Sequence, residues 1–233
     1  MKTIGLIAGM SWESSAEYYR IINEAVRHRL GGLHSAECIM YSVDFARMER
    51  LQAAGEWDQV GAELAQVAKG LERAGAEILV LATNTMHKVA DVIEAAVTIP
   101  LLHIADATAE RVKAQGVERV GLLGTRFTME EDFYAGHLAA RRGLRVMTPG
   151  PEARQIVNDI IFRELCRGIV RESSRMALRG IMAGLAASGA QGIVLGCTEL
   201  SMLVGAADAP VPVFDTTRIH AEAAVDWALG GEF

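Results

Sequence analysis

The stretch Leu79–Val89, "LVLATNTMHKV", decides how the chain is to be read. An apolar run stops at a polar triplet, Thr83-Asn84-Thr85, and a basic pair, His87-Lys88, follows. Nearly the same phrase returns at Ile193–Leu203, "IVLGCTELSML". Without a gap, Gly75–Thr85 lies over Gly189–Glu199, which puts Thr83 and Cys197 at the same position. Two further matches keep the order. "IGLIAGMS" from Ile4 lies over "VGLLGTRF" from Val120, and "TIPLLHIADAT" from Thr98 over "PVPVFDTTRI" from Pro210, with Pro100 on Pro212. One match among apolar strands arises by chance; three in order at nearly equal offsets indicate an internal duplication.

Each half reads as strands alternating with helices. Short apolar, β-branched runs at Thr3–Ile7, Ile78–Leu81, Val120–Leu123 and Ile193–Leu195 read as buried parallel strands. Helical periodicity fills the longer stretches Ser14–Leu30, Trp57–Ala74, Glu152–Gly168 and Glu172–Ser188, and Gly75 stands where a C-terminal glycine cap belongs. The expected fold is α/β: two doubly wound parallel-sheet domains related by a pseudo-twofold axis, with the active site in the cleft between them. The expected division is residues 1–97 plus 212–233 for one half and 98–211 for the other. Ligands of open α/β sheets bind beyond the carboxyl ends of the strands, which is where both polar triplets fall.

The composition narrows the function classes. A net charge of −6 in 233 residues, with no block of like charge, gives no basic face for nucleic acid. No apolar stretch approaches the roughly 20 residues that cross a bilayer. The N-terminal apolar run ends at Trp12-Glu13, too early for a signal peptide. Cys38, Cys166 and Cys197 form neither a disulfide framework nor a Cys-x-x-Cys metal site, so a reducing cytoplasm is the expected compartment. "GLIAGMSWES" lacks the G-x-G-x-x-G spacing of a dinucleotide loop. His103 and Asp106 are too few for a metal site. Lys88 has no supporting context for a pyridoxal Schiff base, and His87 beside a strand end equally suits the satisfaction of backbone groups.

Duplicated halves suit a reaction that needs one acid/base group on each face of a carbon, the inversion of a stereocentre. A thiolate is a competent base, since a free cysteine titrates near about 8.5 and a helix N-terminus lowers that value. Cys197 ends a strand and precedes an apparent helix, "ELSML", so its surroundings are expected to favour the anion.

Four motifs carry a family resemblance: "GMSWES" at Gly9–Ser14, "TNTMH" at Thr83–His87, Gly124-Thr125 with Thr128, and "GCTE" at Gly196–Glu199. Over essentially its whole length the chain resembles the aspartate/glutamate racemase family. The resemblance implies two α/β domains, an amino-acid substrate, no pyridoxal phosphate or metal, a homodimer, and a pair of opposed acid/base residues, usually both cysteine. Here Thr83 replaces the first, as in the subgroup acting on acidic L-amino acids. Cys197 is then the proton abstractor and Thr83 the donor from the other side, with a bias towards one enantiomer, L. Further roles follow from the resemblance: Asn84, Thr85 and Thr198 hold the α-carboxylate and Glu199 the α-ammonium. Met10, Thr125 and Thr128 line the cleft, and Gln52 or Arg47 reads the substrate side chain. Cys38 and Cys166 are structural. The rivals are a single-cysteine decarboxylase of malonate-type acids on the same fold and a non-catalytic carboxylate-binding protein.

Overall fold

The computed structural model describes residues 1–231, and of Arg141 and Arg142 the backbone alone. The chain divides into two compact units, Met1–Ile104 with residues 220–231, and Ala105–Ile219. In the first, β1 (Ile4–Ala8), α1 (Trp12–Leu30), β2 (Cys38–Ser42), α2 (Phe45–Ala54), α3 (Trp57–Arg73), β3 (Ile78–Leu81), α4 (Ala90–Glu94) and β4 (Leu101–Leu102) follow one another. The second contains most of α5 (Ile104–Ala114), then β5 (Arg119–Gly124), α6 (Arg126–Glu130), α7 (Asp132–Arg142), β6 (Arg145–Met147), α8 (Pro151–Arg163), α9 (Glu172–Ala187), β7 (Gly192–Gly196) and β8 (Val213–Asp215). The last helix, α10 (Thr216–Ala228), begins in the second unit and returns the chain to the first. Each unit holds one four-stranded, wholly parallel sheet, in the orders β2-β1-β3-β4 and β6-β5-β7-β8.

The two sheets repeat each other at matched positions. Gly75 and Gly189, equivalent in the duplication, sit at φ 101° and 104°, where a side chain would be strained. Each stops the helix before the central strand. The next N–H reaches back to close the turn, Ala76 to Leu71 O and Ala190 to Leu185 O, both at 3.0 Å. Leu79 N donates to Pro100 O and Ile193 N to Pro212 O, both at 2.8 Å, so the matched prolines receive matched bonds.

Strand alternation explains the core of the first unit. Ile4, Leu6, Ala8, Ile78 and Val80 share a buried cluster with Tyr18, Ile21 and Ile22 of α1 and Val225 of α10. Ile7, Leu79 and Leu81, of opposite parity, share another with Leu64 and Leu71 of α3. Each buried Ile, Leu or Val among them contributes about 1.5–3 kcal/mol, and burial on both faces is why these strands are unbroken apolar runs.

The observed division differs from the sequence boundaries at 97/98 and 211/212. β4 pairs with β3 (Leu79↔Leu101) and β8 with β7 (Ile193↔Val213), so each unit keeps its own fourth strand before the chain leaves it. Residues 232 and 233 of the 212–233 segment lie outside the described residues. No helix among the described residues is long and apolar enough to cross a membrane.

Candidate active site

In the first unit the candidates gather at the carboxyl ends of two paired strands. The register Ile7↔Leu81 brings the residues after β1 alongside those after β3. Gly9 follows β1 at φ 94°, packed so closely on β2's exit that a Cβ would stand 2.4 Å from Val43 O. Its N–H donates to Ser15 Oγ at 2.8 Å, and Ser11 caps α1 through Ser14 N. Met10, between them, is buried in the same cluster as Met48, Leu81 and Met86.

After β3, Thr83, Asn84 and Thr85 are all buried. Thr83 N donates to Leu81 O at 2.8 Å, and a 3-10 turn over Thr85–Val89 follows. His87, on that turn, lies 2.8 Å from Thr83 O through Nδ1, and Ile104 N donates to its Nε2 at 3.2 Å. Its two nitrogens therefore serve backbone groups. Lys88 stands 4.1 Å over the Trp57 ring. Gln52 is buried on α2, whereas Arg47 is exposed and paired with Glu63 at 2.6 Å. Arg47 and Glu63 border an open pocket of about 500 Å³ with Tyr41 and Gln66.

In the second unit the ends of β5 and β7 meet through two glycines. Gly124 pairs with Gly196, and a Cβ on Gly124 would fall 2.7 Å from Gly196 O. This close approach puts Thr125 and Cys197, the next residues, at the ends of adjacent strands. Thr125 caps α6 through Thr128 N, and the two threonine hydroxyls are 3.2 Å apart. Thr128 lies against both glycines and is fully buried.

Cys197, Thr198 and Glu199 are buried in sequence. The thiol of Cys197 donates to Glu199 Oε2 at 3.0 Å, and Thr198 Oγ1 donates to the same oxygen at 2.8 Å. Burial first, then the charge of Glu199, pushes the thiol well above its usual range. This corrects the expectation that the surroundings of Cys197 favour the anion. The segment "ELSML" forms only a 3-10 turn, Leu200–Met202, whose first N–H is spent on Cys197 O at 3.2 Å. Such a turn has no macrodipole to set against desolvation and a neighbouring carboxylate.

The structure brings Met10 and Thr83–Thr85 to one sheet edge, and Thr125, Thr128 and Cys197–Glu199 to the equivalent edge of the other sheet. Cys38 and Cys166 are half-buried and unbridged. Sequence spacing missed three partners. Tyr18 OH meets His220 Nδ1, and His220 Nε2 donates to Leu102 O, both at 2.9 Å, within the first unit. In the second, His137 on α7 pairs with Asp106 at 3.0 Å. No local pattern announces a pair 202 residues apart such as Tyr18 and His220.

Two parallel sheets of like order, each carrying a polar cluster at the exit of its central strands, define an α/β enzyme architecture. Residues 7–224 match the Asp/Glu/hydantoin racemase family. The chain belongs to that family, and so to the isomerases of racemase type. It is 58% identical to a candidate Asp/Glu racemase from Yersinia pestis, over 98% of this chain and 100% of that one, with a TM-score of 0.92. It is 38% identical to an aspartate racemase homologue from Pyrococcus horikoshii OT3, over 98% and 100%, with a TM-score of 0.85. The Picrophilus torridus aspartate racemase, 18% identical over 98% and 94% with a TM-score of 0.75, shares the fold.

Proposed function

We propose that the protein racemises acidic amino acids, aspartate or glutamate, without a cofactor, and favours the L-enantiomer as substrate. Cys197 is the base and Thr83 the donor to the other face of the α-carbon. The observation that carries the reading is the Cys197 thiol 3.0 Å from a buried carboxylate, at the end of a central strand in a chain of this family. The equivalence of Thr83 with Cys197 in the duplication supports the role of Thr83.

The proton count closes as follows. Glu199 takes the proton of the Cys197 thiol, and the thiolate takes the α-proton of the substrate. The electron pair left on the α-carbon spreads into the α-carboxylate. Thr83 delivers its hydroxyl proton from the opposite side and recovers one from water, and the proton held on Glu199 passes to the hydroxide this leaves, so that every group returns to its starting state. Glu199, expected from the resemblance to hold the α-ammonium, is thus proposed instead as the proton acceptor for the thiol, which donates to it at 3.0 Å. Asn84, Thr85, Thr125, Thr128 and Thr198 supply amides and hydroxyls for the α-carboxylate. Gln52, buried where Arg47 is exposed and ion-paired, is the better reader of the side chain, and Met10 gives an apolar wall. The proposed setting is a cytoplasmic homodimer; Met40 and Tyr41, exposed on the edge strand β2, and Leu33 before it are the apolar surface such contact would cover.

The test is incubation of the protein with the L- and D-forms of aspartate and glutamate in D₂O, following α-proton exchange and optical rotation. Exchange with inversion supports the racemase. Release of CO₂ from a substituted malonate with no exchange of amino acids would replace it with a decarboxylase, and binding without exchange with a carboxylate-binding protein.

A further inference from the structure

His87 and His220 are buried, and together they spend their ring nitrogens on a single line of hydrogen bonds. Tyr18 OH donates to His220 Nδ1, and His220 Nε2 donates to Leu102 O, each at 2.9 Å. Two residues on, Ile104 N donates to His87 Nε2 at 3.2 Å, and His87 Nδ1 donates to Thr83 O at 2.8 Å. A carbonyl only accepts and a backbone N–H only donates, so both tautomers are fixed: His87 carries its proton on Nδ1 and His220 on Nε2. Burial pushes His220 down to about 4, consistent with a neutral ring. The rings themselves meet edge to face, His87 and His220 with centroids 5.9 Å apart, His87 and His103 4.5 Å apart.

The line ends on one backbone carbonyl, that of Thr83. Its N–H is already fixed on Leu81 O at 2.8 Å. With both sides of the residue tied, the backbone leaves the Thr83 hydroxyl a fixed origin, and reactive groups held this way lose little to misplacement.

We infer that His87 is a positioning residue for Thr83, holding its carbonyl while the Tyr18–His220 pair holds the β4 exit that fixes His87 in turn. The inference rests on the reading of Thr83 as the proton donor. It assigns His87 no proton transfer with the substrate.

The experiment separates the two halves of the reaction. From L-aspartate in D₂O, deuterium in recovered L-aspartate needs Cys197 alone, whereas deuterated D-aspartate needs Thr83 as well. His87→Ala is expected to lower inversion by about 10- to 100-fold and leave exchange into L-aspartate nearly unchanged. His87→Asn keeps an amide donor where Nδ1 stood and restores much of the inversion; His87→Gln places its amide where Nε2 stood and does not. If the alanine variant fails to fold, the Asn and Gln pair carries the comparison. An equal fall of exchange and inversion in every variant, or inversion undiminished in His87→Ala and His87→Gln, overturns the inference. Absence of exchange in the wild-type protein, or full inversion by Thr83→Ala, instead removes the underlying reading and the inference with it, and both are seen before any His87 variant is measured.

Discussion

Cys197 Sγ donates to Glu199 Oε2 across 3.0 Å, and both side chains are buried. The thiol is raised first by burial and then by the negative charge beside it. Its alkylation by iodoacetamide, followed by mass spectrometry of the Cys197 peptide, is therefore expected to begin only at alkaline pH. Glu199→Gln removes both the charge and the proton acceptor. The alkylation midpoint should fall while racemisation slows by about 10²–10⁴-fold, the usual scale of general acid–base help. A midpoint that rises would contradict the electrostatic account.

Thr83 is expected to set which enantiomer turns over faster at saturation, the equilibrium itself staying at equal amounts of both. Thr83→Ala should abolish inversion while deuterium exchange into the L-substrate continues at Cys197. Thr83→Cys gives both faces a thiol, so turnover of the two enantiomers should become comparable, as measured by polarimetry from each side. Equal turnover of both enantiomers by the unmodified protein would refute the bias.

Gly9 and Gly55 both hold positive φ, at 94° and 76°, but in different surroundings. A Cβ at Gly9 would meet Val43 O at 2.4 Å and Val43 N at 2.5 Å, whereas Gly55 looks into open space. Gly55→Ala should cost about 1 kcal/mol, the strain of the left-handed region alone. Gly9→Ala should cost clearly more, since the β1 and β2 exits must part. Urea midpoints of the two variants compare them directly.

His220 carries a pH signature in stability. Its folded value, about 4, lies below the unfolded value of 6.5. Between those two values the unfolded chain binds the proton that the folded one refuses, so stability rises with pH across the window. The contribution, about 3 kcal/mol, is complete above pH 6.5 and is lost as the pH falls towards 4. Urea unfolding of the wild type and of His220→Gln across this range should show the wild-type curve falling more steeply, with the two converging at low pH. Parallel curves would assign the slope to other groups.

The central strands and their polar exits were legible because burial on both faces writes an apolar run that ends abruptly, and because the duplication writes it twice. The matched glycines Gly75 and Gly189 and the matched prolines Pro100 and Pro212 were visible for the same reason. The unit boundaries were less so: the two residues of β4 are too few to carry a pattern, and only their pairing with β3 assigns them. The edge strand β2, "CIMYS", is partly exposed and lacks the unbroken apolar character of its neighbours. The electrostatics of Cys197 were misread because sequence shows a following helix but not that it is one 3-10 turn, nor that Glu199 folds back on the thiol. His220 was illegible as a partner of Tyr18, since nothing local ties α10 to α1.

The return of α10 to the first unit bears on how the protein is made. Lys2 N binds Ala228 O at 2.9 Å, and Ala221, Ala224 and Val225 complete a core begun by Ile4 and Leu6. The first unit is therefore interrupted by the whole of the second, Ala105–Ile219, and cannot close until residues 220–231 have joined residues 1–104. The support beneath Thr83 thus depends on His220, and a chain truncated before residue 220 would lack it.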